Sequence, residues 1–200
     1  MKILFFADIH SDGSAIRHIA KKAKKWKVDA LVCAGDLSEF GEGLEDMVHA
    51  VDLGMPFYII PGNHESPVET LELSDTFKWV EEFDLKTVKI GDVLLIGCGR
   101  GGFSHELERF DEKVKDFKKE IKKFKNKKNI VLVTHAPPYN TKLDKIFGEH
   151  TGVRSLRKFI KEVQPGLMVC GHLHENSGKV DYIGKTKIIN PGKKGFLFKS

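Results

Sequence analysis

The sequence predicts an α/β (more strictly, α+β) protein with sheets of mixed strand direction, and three observations support this fold class. Short apolar runs, such as residues 31–34, have the length and composition of buried strands. Stretches with apolar residues every three or four positions, typical of amphipathic helices, separate several of these runs. Gly91-Asp92, between the strand-like residues 86–90 and 93–96, predicts a hairpin, so the chain does not simply alternate strand and helix.

The first part of the chain predicts three strands, and each of them ends in polar side chains. Asp8-Ile9-His10 follows the first strand, Gly35-Asp36 the second, and Gly62-Asn63-His64 the third. Because the carboxyl ends of parallel strands form the edge where α/β folds place their chemistry, these side chains are candidate site residues. Strands are predicted over residues 2–7, 29–34 and 57–60, and helices over residues 16–26, 44–53 and 67–83.

The second part predicts a long helix over residues 105–125 and a tail of short antiparallel strands. The apolar residues of this helix recur in steps of three and four, which favours a helix packed on a sheet and leaves a homodimer seam as the alternative. We find no linker or internal repeat, so residues 1–200 are expected to form one domain. Further strands are predicted over residues 130–133, 167–170, 179–183, 185–189 and 195–198, and a helix over residues 153–163.

Composition and cysteine usage narrow the class of protein. Charged residues make up 30% and hydrophobic residues 40% of the chain, and the net charge of +5 weakly favours anionic partners. Three cysteines in strand-like runs argue against a disulfide framework and for a cytoplasmic location. We see neither a signal peptide nor an apolar run near the ~20 residues that span a bilayer, so no membrane partner is expected.

The eight polar residues at the five strand ends share one property, which is that all are of types that bind metal ions. Imidazole and carboxylate groups without thiolate suit Mn as the first expectation, with Fe, Zn, Ni or Co as alternatives. The set is too large for one ion, whereas two divalent metal ions sharing a bridging carboxylate would use it fully. The residues are Asp8, His10, Asp36, Asn63, His64, His135, His172 and His174.

In order and spacing, these motifs resemble those of the calcineurin-like metallophosphoesterases. The matching pieces are Asp8-Ile9-His10, Gly35-Asp36, Gly62-Asn63-His64-Glu65, His135 and Gly171-His172-Leu173-His174. As a set they are highly specific, although each piece alone is weak. The resemblance implies a four-layer αββα sandwich, in which two mixed sheets face each other with helices outside.

The resemblance also implies a role for each residue. Asp36 would bridge the two metals, and His64 would bind neither metal but act beside the leaving oxygen as general acid or transition-state stabiliser. The two cations would activate a hydroxide that attacks phosphorus. The first metal would be held by Asp8, His10 and His174, and the second by Asn63, His135 and His172.

Among the activities of this family, the sequence favours a phosphodiesterase acting on a small phosphate ester or nucleotide. The short chain, His135-Ala136-Pro137-Pro138 and the Asn190-Pro191-Gly192 turn resemble the compact phosphodiesterase-type members. The Asp-Arg-Gly signature of protein phosphatases is absent, because Leu37-Ser38-Glu39 follows Asp36. Repair nucleases carry large extra domains, for which this chain has no room. A phosphomonoesterase, or a protein or nucleotide phosphatase, remains the alternative.

Two further residues are candidates for substrate contact, and two other classes of protein stay open. Arg100 lies in a Gly-rich loop where it would reach a phosphate, and His150 lies on the loop that follows His135. An interaction scaffold of the same fold would have a degraded metal site, which is not the case here. Nucleic-acid binding is not favoured, because the lysine runs at residues 21–27 and 118–128 fall on outer helix faces.

Overall fold

The computed structural model describes residues 1–102 and 104–200, and their helices and strands largely follow the predicted order. The helices are α1 Gly13–Trp26, α2 Leu44–Ala50, α3 Pro67–Thr76, α4 Glu108–Lys123 and α5 Arg154–Val163. The strands are β1 Lys2–Phe6, β2 Ala30–Cys33, β3 Phe57–Ile59, β4 Val80–Glu82, β5 Thr87–Ile90, β6 Val93–Cys98, β7 Ile130–Thr134, β8 Lys145–Ile146, β9 Glu149–His150, β10 Leu167–Val169, β11 Val180–Ile183, β12 Thr186–Ile189 and β13 Phe196–Lys199.

Two large sheets form the centre of the protein, and both are mixed. In the first, the order is β13-β1-β2-β3-β4, with β13 antiparallel to β1 and the other neighbours parallel. In the second, the order is β11-β12-β10-β7-β6-β5, and only the outer strands β11 and β5 run antiparallel to their neighbours. The predicted hairpin is therefore confirmed as β5–β6, and a short β8–β9 hairpin stands apart from both sheets.

The sheets face each other, and helices cover their outer sides. Phe5 of β1 packs with Val131 of β7 in the apolar layer between the sheets. The next residue, Phe6, points the opposite way and packs with Ile16 of α1, because successive side chains of a strand alternate between its faces. A third apolar cluster joins the outer face of the second sheet to α4 and α5. The four-layer αββα sandwich with helices flanking two mixed sheets is confirmed.

The apolar stripe of α4 is buried in the core of the protein. Phe110, Phe117 and Ile121 are buried and pack against the second sheet and α5, so this helix is laid on a sheet as predicted. A homodimer remains a prediction, and it would need a surface other than this stripe. Within the described residues no helix combines the length and the apolar character that crossing a bilayer requires.

Three segments differ from the sequence prediction. The helix predicted over residues 67–83 ends at Thr76, and the chain continues into the edge strand β4, which is too short to show a period of two. The β8–β9 hairpin was not predicted for the same reason. The tail does not form one antiparallel sheet, because β12 pairs in parallel with β10 and β13 crosses to the first sheet beside β1.

Candidate metal centre

The predicted site residues come together at one edge of the two facing sheets, where five strands end. The backbone turns sharply there, since Asp8, Asp36 and His172 all have left-handed φ values, of 57°, 51° and 70°. Such conformations are unfavourable for residues with a Cβ atom and cluster at functional sites. Glycine at position 62 allows the loop after β3 to pack directly against Asp36, because a Cβ atom at this position would collide with the Asp36 carboxylate.

The Asp36 carboxylate stands in the middle of the cluster. Its Oδ2 is 3.5 Å from His10 Nε2 and 3.2 Å from His135 Nε2, whereas its Oδ1 accepts the His64 backbone N–H at 2.9 Å. One oxygen therefore lies between a residue predicted for the first metal and a residue predicted for the second. This is the position that a bridging carboxylate has to occupy.

The residues predicted for the first metal lie together around His10. The Nε2 atoms of His10 and His174 are 2.8 Å apart, and ligand atoms of Asp8, His10, Asp36 and His174 all lie within 4.8 Å of one another. Asp8 Oδ1 accepts the His172 backbone N–H at 2.9 Å, while Asp8 Oδ2 is buried and has no hydrogen-bond partner among the described residues. A buried carboxylate oxygen of this kind is expected to face a cation.

The residues predicted for the second metal meet at the Asn63 side chain. Asn63 Oδ1 lies 3.0 Å from His135 Nε2 and 2.8 Å from His172 Nδ1. His135 is fully buried, and its Nδ1–H donates to the Ala34 carbonyl at 2.9 Å. This hydrogen bond fixes the ring so that Nε2 is the nitrogen facing Asn63 and Asp36, which is the usual outer support of a metal-binding histidine.

The donor set fits divalent metal ions. Imidazole nitrogens and carboxylate or amide oxygens converge on a small space. The candidate metal-binding group contains no thiol, and the three cysteines are buried, Cys33 and Cys98 in strands and Cys170 directly after β10. This mixture suits ions of intermediate softness such as Mn, Fe or Zn. Two ions with Asp36 between them would give the buried Asp8 Oδ2 the partner that it lacks among the described residues, and would bind the His10 and His174 nitrogens that lie 2.8 Å apart.

Glu39 belongs to the site, and the sequence analysis missed it. Its Oε2 is 2.8 Å from His10 Nδ1, and its Oε1 is 3.4 Å from His64 Nδ1. A carboxylate on the far nitrogen of a metal-binding histidine orients the ring and raises its basicity. The available signal is the position of Glu39 three residues after Asp36, in the segment that departs from the protein phosphatase signature.

His64 lies between the metal-ligand cluster and the exposed Phe40 ring. Its ring contacts the His10 ring edge-on at 4.6 Å and lies against the Phe40 ring at 4.2 Å between centroids. Its backbone N–H is held by Asp36 at 2.9 Å. The side chain is therefore close to the metal-ligand residues and also close to solvent-exposed Phe40.

The Glu65 side chain joins the ends of two strands by hydrogen bonds. Its buried carboxylate accepts the backbone N–H groups of Asp36, Gly62 and Ser38 at 3.0, 2.9 and 2.8 Å, and the Ser38 hydroxyl at 3.0 Å. The loops after β2 and β3, which carry Asp36 and Asn63, are thereby fixed relative to each other.

We expect Glu65→Ala to lower the free energy of unfolding by about 3 kcal/mol, because it leaves buried N–H groups without an acceptor. Urea unfolding of the metal-free protein, followed by tryptophan fluorescence, measures this change. The matched control is Glu72→Ala on the exposed side of α3, which should change stability little. Equal effects of the two substitutions would contradict the structural role of Glu65.

The charges in the cluster shift the pKa values of its members. Burial alone would lower the pKa of His135, but the hydrogen bond and charge of Asp36, with the charge of Asp8, raise it to about 9. Burial opposes ionisation of Asp36, yet His135 holds the pKa of this carboxyl below its usual range. Burial raises the pKa of Asp8, and burial together with the charge of His135 lowers the pKa of His172 to about 4.

We expect Mn²⁺ binding to strengthen with pH, because a ligand histidine must lose its proton and the pKa of His135 lies near 9 in the metal-free protein. Each proton displaced should tighten the apparent Kd about tenfold per pH unit between about pH 6 and about pH 8. Calorimetric titration in buffers of different ionisation enthalpy measures both Kd and proton release. The control His18→Ala, on the exposed side of α1, should keep this dependence, whereas a Kd independent of pH would refute it.

Of the two predicted substrate contacts, Arg100 lies in the loop after β6, whereas His150 lies in the short strand β9 and not in a loop as predicted. Arg100 is exposed, and its backbone N–H donates to the Pro61 carbonyl at 2.8 Å, so its loop runs beside the one that carries Asn63. His150 is held instead by a hydrogen bond of 2.8 Å from Nδ1 to buried Asp144. This contact orders the loop after β7, and a substrate role for either residue stays a prediction.

Comparisons with known proteins agree with the fold. A protein of Methanocaldococcus jannaschii without assigned function is 34% identical over 208 residues, which cover 98% of this chain and 90% of that protein. A protein of Arcobacter nitrofigilis, named a probable glycerophosphodiester phosphodiesterase, is 27% identical over 176 residues, which cover 76% of this chain and 59% of that protein. A crystal structure from Thermus thermophilus shares the fold with a TM-score of 0.74 at 17% identity, covering 96% of this chain and 88% of that chain.

The sandwich and the cluster at its edge together define a class of protein, the metal-dependent phosphate-ester hydrolases. Within that class, the chain belongs to the calcineurin-like phosphoesterase family, whose model matches residues 1–176. The family uses two metal ions, and the cluster of Asp8, His10, Asp36 and His174 is a candidate for part of that centre.

Proposed function

We propose that this protein is a phosphodiesterase with two metal ions that hydrolyses small phosphate esters. The observation that carries the proposal is the position of Asp36 Oδ2 between His10 Nε2 and His135 Nε2. When bound, the two cations would neutralise the charge of the phosphate and lower the pKa of a water that attacks phosphorus. Asp36 would bridge the ions, Asp8, His10 and His174 would hold the first, and Asn63, His135 and His172 would hold the second.

The neutral ligand Asn63 suits an anionic substrate, since it adds an oxygen donor without adding negative charge. The buried carboxylates of Asp8 and Asp36 are the charged ligands, and both are kept from solvent by the strand ends around them. The protein thus offers enough negative charge to retain two cations while leaving a net attraction for a phosphate.

His64 would donate a proton to the departing oxygen. A general acid must lie beside the reacting centre but need not bind metal, and the contacts of His64 with His10 and with Glu39 Oε1 support this place. Glu39 would keep the imidazole oriented for the transfer, because it is hydrogen-bonded to His10 and near His64 Nδ1.

The preference for diesters and the domain boundaries rest on separate observations. The name of the Arcobacter relative supports a diesterase, with monoester hydrolysis as the competing activity. A single domain over residues 1–200 is supported by β11, β12 and β13, which lie beyond the matched family segment yet complete both sheets. Manganese as the native metal and a cytoplasmic location remain predictions from the sequence.

The deciding experiment is the hydrolysis of bis(p-nitrophenyl) phosphate by metal-stripped protein before and after addition of Mn²⁺. Activity that depends on metal, and exceeds that on p-nitrophenyl phosphate, would support the proposal. A flat trace with metal demonstrably bound would refute the diesterase and leave a monoesterase or a scaffold. Retention on DNA or RNA at low salt would instead favour a nucleic-acid-binding protein.

A further inference from the structure

Phe40 is an exposed aromatic residue placed directly against His64. Its side chain is 74% exposed, and it belongs to none of the apolar clusters of the described residues. Its ring lies 4.2 Å from the His64 ring at an angle of 33°. The fold therefore does not use Phe40 for its core, although the ring stands next to the residue assigned to the leaving group.

The backbone at Phe40 is also unfavourable for phenylalanine. Phe40 and Gly41 have φ values of 49° and 80°, and the Glu42 N–H donates to the Glu39 carbonyl at 3.0 Å, as in a type I′ turn. Asn, Asp or Gly is preferred at both central positions of this turn, because a left-handed conformation crowds a large side chain. An exposed position favours a polar side chain and a left-handed conformation favours a small one, so neither explains a phenylalanine at position 40.

Hydrogen bonds hold this turn in place beside the site. The Glu39 N–H donates to the Ser11 hydroxyl at 3.0 Å, and the Gly41 N–H donates to the Ser38 hydroxyl at 3.2 Å. Ser38 is in turn bonded to Glu65, which fixes the loop that carries Asp36. The ring of Phe40 is thus presented on an anchored support at a fixed distance from His64.

We propose that Phe40 is a substrate-binding residue that stacks on a flat aromatic group carried by the leaving alcohol, so that the preferred substrates are aryl or nucleoside phosphodiesters. The inference rests on the proposed function, because it takes the leaving oxygen to lie beside His64. A group attached to that oxygen continues outward past His64 and meets the exposed face of Phe40. Stacking suits this encounter because it needs an aromatic face and no hydrogen-bond partner.

The test is direct binding of two phosphonates to the Mn²⁺-loaded protein by calorimetry. Benzylphosphonate and cyclohexylmethylphosphonate have equal charge and ring size, and a methylene group replaces the ester oxygen so that neither is hydrolysed. Wild-type protein should prefer the benzyl compound about fivefold, within the range of aromatic stacking energies. Phe40→Asn, which suits the type I′ turn, should abolish that preference, and Phe40→Tyr should retain it.

Phe147 provides the matched control. It is fully exposed and begins a second Phe-Gly turn, with φ values of 48° and 91° at Phe147 and Gly148, and none of the described ring contacts joins it to His64. Phe147→Asn should therefore keep the preference. Equal binding of the two compounds by wild type, or a preference that survives Phe40→Asn, would overturn the inference while metal-dependent hydrolysis continued. If the wild-type protein neither bound the two phosphonates nor showed metal-dependent hydrolysis, the proposed function itself would be overturned.

Discussion

Asp36→Asn is expected to lower kcat/KM for bis(p-nitrophenyl) phosphate by about 10³-fold or more, because it removes the charge between the two metal positions. Asp36 Oδ2 is the oxygen that approaches both His10 and His135, and an amide at this point would bridge two cations weakly. Activity with saturating Mn²⁺ and metal content after dialysis measure the effect. We expect the metal content of the Asp36→Asn protein to fall together with its rate.

The fold should survive this substitution, since an asparagine oxygen still accepts the His64 backbone N–H that Asp36 Oδ1 accepts at 2.9 Å. Thermal unfolding of the metal-free proteins checks this point. Asp116→Asn on α4 is the control, because its side chain is 72% exposed on a helix that carries none of the predicted ligands. If Asp36→Asn kept two bound metals and the wild-type rate, the assignment of Asp36 as the bridge would be wrong.

His64→Ala is expected to lower kcat by about 10²- to 10⁴-fold, as the loss of a general acid does, while metal content stays unchanged. The retained metal separates this residue from the ligands, because no ligand atom of His64 is needed in the proposed centre. Stopped assays with saturating substrate give kcat, and elemental analysis gives the metal content. His18→Ala on α1 controls for the loss of an exposed histidine.

A second substrate distinguishes proton donation from simple positioning. Phenol is a poorer leaving group than p-nitrophenol and depends more on protonation, so diphenyl phosphate should suffer more from His64→Ala than bis(p-nitrophenyl) phosphate. The same loss for both esters would argue that His64 stabilises the phosphate without donating a proton. An unchanged rate with both esters would remove His64 from the mechanism.

Glu39 and Phe40 define the limit of what sequence patterns can reveal here. Both lie on a loop whose sequence has no periodic pattern. Their importance arises from contacts with residues distant in the sequence, because Glu39 contacts His10 and Phe40 contacts His64. The hydrogen bonds of Glu65 are similar, since they join loops after two different strands. A residue type alone does not indicate which distant groups it will meet.

The predicted elements succeeded where the signal was local and strong. Apolar runs of four or more residues became buried strands, and α4 formed on a stripe that repeats over several turns. The edge strand β4 and the β8–β9 hairpin escaped prediction, because two or three residues carry no measurable period and their pairing depends on neighbours.

The sequence by itself determined the family and the candidate ligands, because strand ends carry their chemistry in short motifs that can be read locally. Asp8-Ile9-His10 and Gly171-His172-Leu173-His174 are recognisable without any knowledge of the fold. Only the tertiary structure decided how they meet, since the His10 and His174 nitrogens, 164 residues apart in the chain, come within 2.8 Å. That approach depends on the packing of two sheets across an apolar layer, which is a property of the whole chain.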